Sequence, residues 1–278
     1  MLDLLKDSIE GLSKTIEDDI LNINLSRSLD TPLFIDWKDQ KQKIKIILGK
    51  NVEIKLLEIN ACEANCEYFL DENSTLINNL ISLENGGTSK RDYIINKNAV
   101  WKAYNAELSL ENVDMKVYCT LLEEGSKGSF NLSVLSKNKN TKLFDINFIH
   151  EASNSISEMK NYGVVQDEAS LKFLGIGHVK KHTQATKASQ SAKIMVFDSK
   201  CKASASPILK IDDNDTNASH GASVGKINDE HLFYLMSRGI DENTAKRLIT
   251  LGYLNPILPY FFDKEIMKKV EQYILERV

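Results

Sequence analysis

From about Leu33 to Ile211 the chain alternates apolar and polar residues, or runs apolar, over short stretches with no convincing amphipathic helix between them. IKIILGKNVEIKLLEIN, AVWKAYNAELSLENVDMKVYCTLLEE, GSFNLSVLSK and TKLFDINFIHEA are separated by Asn, Gly, Ser and Lys corners. This is strand chemistry: β-branched and aromatic residues in a period of two, bounded by turn formers. Without helical crossovers a Rossmann-like sheet is excluded, which leaves a sandwich, a barrel or a coil of short strands. With 13 Gly and 4 Pro the chain is poor in the usual turn formers, which disfavours a hairpin-rich barrel. It does not disfavour a solenoid with Asn corners, because Asn tolerates positive φ. In SLKFLGIGHVKKHTQATKASQSAKIMVFDSKCKASASPILKI the small residues Ala185, Ala188, Ser191, Ala203 and Ala205 recur between apolar pairs. Closely stacked coils need such residues.

The flanks read as helical. Leu5, Ile9, Leu12, Ile16 and Ile20 recur at steps of three and four, which predicts an amphipathic N-terminal helix ended by LNINLSRSLDTP. After Gly225, Asn228 or Asp229 caps a helix through Arg238, and Gly239 stops it. Asp241 caps a second helix that Gly252 ends, and Asp263 caps a third beyond Pro256 and Pro259. The expected division is a helical segment over 1–30, a β core over 31–225 and a helical region over 226–278.

The bulk properties exclude several classes. A net charge of -4 argues against a nucleic-acid-coating surface. No apolar run approaches the ~20 residues needed to span a bilayer. MLDLLKDSIEGL lacks the basic and apolar regions of a signal peptide, so a cytoplasmic location is expected. Cys62, Cys66, Cys119 and Cys201 are too few and too scattered for a disulfide framework. Cys62-x-x-x-Cys66 has no second pair to make a zinc ribbon, and Cys119 in VYCTLL reads as core. His150 with Glu151 reads as a polar strand end, and His178 and His182 around Lys180 and Lys181 as a solvated face. No Walker A loop, nucleophile elbow or His-Glu-x-x-His occurs, and Gly175-Ile176-Gly177 lacks the third Gly and the helix of a dinucleotide turn. No enzyme of ordinary type is visible.

The segment NASHGASVGKINDEHLFYLMSRG hands over from strand to helix with one imidazole, His220, at the seam. A neutral imidazole is a competent metal ligand, and Gly221 beside it allows close approach. SHGASVGKINDEHLFYLMSRGI, continued by DENTAKRLITLGYL and preceded by GIGHVKKHTQATKASQSAKIMVFDSKCKASASPILKI, resembles the SufB/SufD family of SUF iron–sulfur cluster assembly scaffolds over Ile149 to Leu254. The Ser-His-Gly signature is closer to SufD.

The resemblance implies a right-handed parallel β-helix flanked by helices, and a non-enzymatic scaffold that binds no nucleotide itself. It implies a transient iron–sulfur cluster at a subunit interface, with His220 and Cys201 as candidate ligands. The partners implied are a SufB-like paralogue or a second copy, and a SufC-type ABC ATPase that docks on the C-terminal helices. Phe233, Leu235, Leu251 and Tyr253 are the candidate anchors. Ala192, Ala218 and Gly221 stand where family members carry a SufB cysteine, a SufD-branch cysteine and a SufB acid. The full ligand set is therefore not in this chain. Two other readings remain: sole scaffold of a minimal homodimeric system, and a β-helix enzyme acting on polysaccharide.

Overall fold

The computed structural model describes residues 1–38 and 40–278. Two nine-stranded sheets face each other. In spatial order, sheet A begins with β1 (Leu2–Asp3), β4 (Leu33–Asp36), β6 (Glu53–Ile59), β8 (Thr75–Ser82) and β10 (Val100–Glu107). It continues with β12 (Lys127–Ser136), β14 (Ile156–Val165), β16 (Thr186–Val196) and β18 (Thr216–Lys226). Sheet B runs from β2 (Leu12–Glu17) through β3 (Ile20–Leu25), β5 (Lys43–Leu48), β7 (Asn65–Leu70) and β9 (Gly87–Ile95). Then come β11 (Val113–Leu121), β13 (Thr141–His150), β15 (Ser170–Val179) and β17 (Lys202–Ile211). The chain alternates between sheets, so each coil pairs in parallel with the one before: a β-solenoid, as expected.

The period of two fills the lumen. In β13, Phe144, Ile146 and Phe148 point inward and are buried, while Leu143, Asp145 and Asn147 face out. Parallel registration puts like side chains ~4.8 Å apart on successive strands, so aromatic residues stack. Tyr68 and Tyr93, register partners on β7 and β9, have ring centroids 4.7 Å apart, and across the lumen Tyr93 stacks on Trp101 of β10 at 3.8 Å. The corners are left-handed, as the Asn content suggested: Asn51, Asn73, Asn98, Asn138 and Asn154 have φ between 55° and 62°. Most of these corner amides donate to the next coil, for example Asn73 N to Lys97 O at 2.9 Å and Asn154 N to Gln184 O at 2.8 Å. Coil length grows from 22 residues (Glu53 to Thr75) to 31 (Ile156 to Lys187).

The N-terminal helix is not formed. Leu12–Glu17 and Ile20–Leu25 make an antiparallel hairpin instead. Its turn residues, Asp18 and Asp19, have φ of 49° and 61°, the conformation of a tight two-residue hairpin turn. β3 also pairs with β5. An unpaired strand at the start of the solenoid would leave backbone groups open, and covering it outweighs the helical period of Leu5, Ile9, Leu12, Ile16 and Ile20.

The C-terminal helices form as expected, with one shifted end. Asn228 caps α1 (Asp229–Ser237), Asp241 caps α2 (Glu242–Leu254), and Asp263 caps α3 (Lys264–Arg277). Gly239 has φ +86°, the expected left-handed stop. Gly252 does not end α2. The helix continues to Leu254, and a 3-10 turn, Asn255–Tyr260, with Pro256 at its start follows. α2, the 3-10 turn and α3 cover part of sheet A's outer face, where Leu254, Ile257, Leu258, Val270 and Ile274 pack on Leu57, Ala106, Leu135 and Val164. Ser133 Oγ donates to Leu254 O at 2.7 Å, which ties this layer to β12.

Candidate functional site at the open end

The solenoid's two ends differ. An antiparallel hairpin begins sheet B at the first coil; among the described residues no strand pairs with the outer edges of β17 and β18. Ile227 N donates to Val196 O, so the odd-numbered residues of β18 bond back to β16. Parallel pairing then directs N–H and C=O of Thr216, Ala218, His220, Ala222, Val224 and Lys226 to the free edge. In β17 the bonds Lys202 N to Ala169 O and Asp212 N to Val179 O leave the odd-numbered residues outward. There Pro207 has no N–H to offer, so β17's edge is interrupted and β18's is continuous.

His220 lies in the middle of β18, in register with Gln190. Gln190 belongs to the inward row of β16, so His220 belongs to the inward row of the last coil; it is exposed because no further coil covers it. Cys201 also has inward parity, one residue ahead of β17 and level with Ala169. Gln190 Nε2 donates to Ile208 O at 3.1 Å, which places His220 across the lumen from Pro207 and Leu209. Six positions separate Cys201 from Pro207, and at ~3.3 Å per residue that is about 20 Å along the strand. The two candidate ligands belong to the inward rows of opposite sheets and do not meet. Cys201 Sγ instead donates to Asp167 O at 3.5 Å, and partial burial raises its pKa.

The other cysteines are buried thiols. Burial and the Glu107 carboxylate, which accepts from Cys62 Sγ at 2.7 Å, push the Cys62 pKa well up. Burial raises Cys66 to about 12 and Cys119 well above its ordinary value. Cys62 sits in the short turn Ala61–Glu63 and Cys66 in β7. His150 ends β13 and is fully buried, with Nδ1 2.8 Å from Ser155 Oγ and Nε2 2.8 Å from Ser157 Oγ. His178 lies 2.8 Å from Asp212 on the outer face.

A second exposed feature adjoins the first. α1 follows β18 directly and buries no residue. Phe233 is 72% exposed and Tyr234 56%, with Met236 and Leu248 also open. Leu235 is half-buried. Leu251 and Tyr253 turn the other way, against the helix–sheet core. Of the four candidate anchors, Phe233 is therefore the one that stands fully open to solvent.

Fold and site together define a parallel β-solenoid whose last coil presents an unpaired edge and one inward imidazole. The family model for the SUF system FeS cluster assembly SufBD core domain matches residues 36–253. The chain belongs to this family. It is similar to the iron–sulfur cluster assembly protein SufD of Bacillus subtilis, 32% identical over 158 residues, covering 57% of this chain and 36% of that one. An iron–sulfur cluster assembly SufBD family protein of Staphylococcus saprophyticus is 25% identical over 252 residues, 90% of this chain and 49% of its own. The SufD of Plasmodium berghei is 28% identical over 215 residues, 75% of this chain and 16% of its own. The chain thus spans half or less of the length of these curated relatives.

Proposed function

We propose that this chain is a non-enzymatic scaffold subunit of a SUF-type iron–sulfur assembly complex, joined through its open end to a SufB-like chain or to a second copy. The observation that carries this is the continuous free edge of β18. Unpaired backbone groups on a long strand favour addition of another strand. Pairing there would bury His220 at the junction, where its imidazole supplies one ligand to a cluster carried as cargo. Iron–sulfur chemistry asks for thiolate or imidazole donors. One imidazole does not complete a coordination shell, so the partner brings the rest. Cys201 enters this reading as a separate thiol, not as His220's co-ligand.

The C-terminal helices are proposed to dock a SufC-type ABC ATPase, with Phe233 as the main anchor and Tyr234 and Met236 beside it. Large aromatic side chains at the centre of a patch supply most of the binding energy at interfaces. The ATP site belongs to that partner.

Anaerobic co-expression with the candidate ATPase and a SufB-like chain tests the reading, by mass of the purified assembly and by its iron and sulfide content. A hetero-assembly supports the SufD-like role, and a dimer of this chain with the ATPase supports the minimal homodimeric one. A monomer that ignores the ATPase defeats both. Within an assembly that does form, unchanged iron and sulfide in His220→Ala removes the imidazole from the cluster site.

A further inference from the structure

The outer face of sheet A is divided. The C-terminal halves of its strands lie under the helical layer, which packs on Ala106, Leu135 and Val164. The N-terminal halves are uncovered and form a shallow, open groove of about 420 Å³ that crosses β10, β12, β14, β16 and β18. Five strands at ~4.8 Å spacing make it about 19 Å long. The period of two builds it: Trp101, Phe130 and Met159 turn into the lumen, so their neighbours turn out. Val100 and Ile156 give the floor two apolar patches, and Ser129 and Ser189 add hydroxyls.

Lys102, Lys127 and Lys187 line this groove and are exposed. Lys127 and Lys187 stand in one row on either side of Ile156, ~9.6 Å apart, and Lys102 is diagonal to Lys127 at ~8 Å. Among the described residues none of the three enters an ion pair. The acid that lines the groove, Glu158, is already held by Lys160 at 2.7 Å. In a chain of net charge -4 these three cations make a local positive field on one uncovered face. The groove's form selects the anion. It is too open to enclose a small ligand. It offers no exposed aromatic ring for stacking bases, since Trp101 is fully buried. Its length and lysine spacing suit an extended polypeptide, which presents side chains on one edge every ~6.6 Å. Asn217 and Ser219 form its lip on β18, so the floor runs up to the free edge. We propose that the groove docks an extended acidic segment of the chain that joins at β18. The segment's carboxylates face Lys102, Lys127 and Lys187, and its small apolar side chains rest on Val100 and Ile156. The source of the segment rests on the reading of β18 as the joining edge; the groove's affinity for such a segment does not.

The test titrates the full chain into a capped, dye-labelled peptide of alternating Glu and Val and reads fluorescence anisotropy. Binding is expected at low salt and should weaken at high salt, as contacts between exposed charges do. Lys102→Gln, Lys127→Gln and Lys187→Gln together should weaken it about tenfold or more. Lys45→Gln, Lys116→Gln and Lys172→Gln together remove the same charge from the outer face of sheet B and should leave it within about twofold. No binding by the wild type overturns the proposal, and so does an equal loss in both triple variants. A DNA strand of the same charge that binds more tightly than the peptide also overturns it. In the assembled complex the groove variant and excess peptide should each weaken association. If the assembly forms and neither affects it, the joined chain does not supply the segment and the proposal fails while the scaffold reading stands. If no chain joins at β18 and the peptide still binds the groove, the scaffold reading fails and the groove's preference stands.

Discussion

His150 shows how a single side chain couples this fold to pH. Burial lowers its pKa to about 4, against an ordinary value of 6.5, so the folded state binds fewer protons than the unfolded state below that value. Its contribution is therefore fully present above about pH 6.5, is lost as pH falls towards 4, and amounts to ~3 kcal/mol. His150→Asn should flatten this part of the urea midpoint's pH dependence between pH 7 and 4.5, relative to wild type. A second prediction concerns the buried ion pair of Glu58 and Arg91, 2.7 Å apart and fully enclosed. Glu58 also accepts from Trp37 Nε1, Tyr68 Oη and Asn78 Nδ2. Arg91→Met strands this carboxylate and should cost ~3–5 kcal/mol, while the double variant Glu58→Gln with Arg91→Met should recover part of it. Denaturant unfolding of the singles and the double measures both. Neither network was legible in the sequence, because neither Glu58 nor Arg91 announces that its position points into the lumen.

At the scale of elements, two failures of sequence reading have one cause: a local rule was applied where tertiary pairing decides. The N-terminal stripe fits a helix, yet Ile23 and Leu25 are buried in a strand because β5 supplies the partner edge. Gly252 looked like a stop, yet its backbone is helical and nothing lies within 4 Å of the place a Cβ would take. Gly252→Ala should therefore stabilise the chain by ~0.5–1 kcal/mol in thermal unfolding. What local chemistry does control was legible: the caps at Asn228, Asp241 and Asp263, and the left-handed corners. The site was legible only in part. His220 stood out through its surroundings, whereas Gln190 and Pro207 gain meaning from register, and coils of unequal length hide the register from any fixed repeat. The free edge gives a further prediction. Ala222→Pro removes an N–H that points away from β16, so it should weaken partner association while shifting the melting temperature little. Light scattering of the assembly and a melting curve of the lone chain separate the two effects.

For the whole molecule, the lumen and the helical layer are distinct cores on either side of sheet A. The helices are held by bonds far apart in sequence, including Arg277 to Leu108 O at 2.7 Å and Phe262 N to Asn79 Oδ1 at 2.9 Å. Among the described residues α1 alone makes no such bond. Phe233→Asp should accordingly abolish ATPase co-purification and leave the lone chain's melting temperature within about 1 °C, since a surface substitution away from packed groups changes stability by under ~0.5 kcal/mol.

The asymmetry of the two ends also limits how far joining can go. Strand addition between identical solenoids open at both ends has no natural stop and yields fibres. Here the Asp18–Asp19 turn folds β2 back antiparallel on β3, so the edge strand of sheet B at the first coil runs against the rest of its sheet. The two ends thus offer different edges to an added strand, a six-residue antiparallel one at β2 and an eleven-residue parallel one at β18.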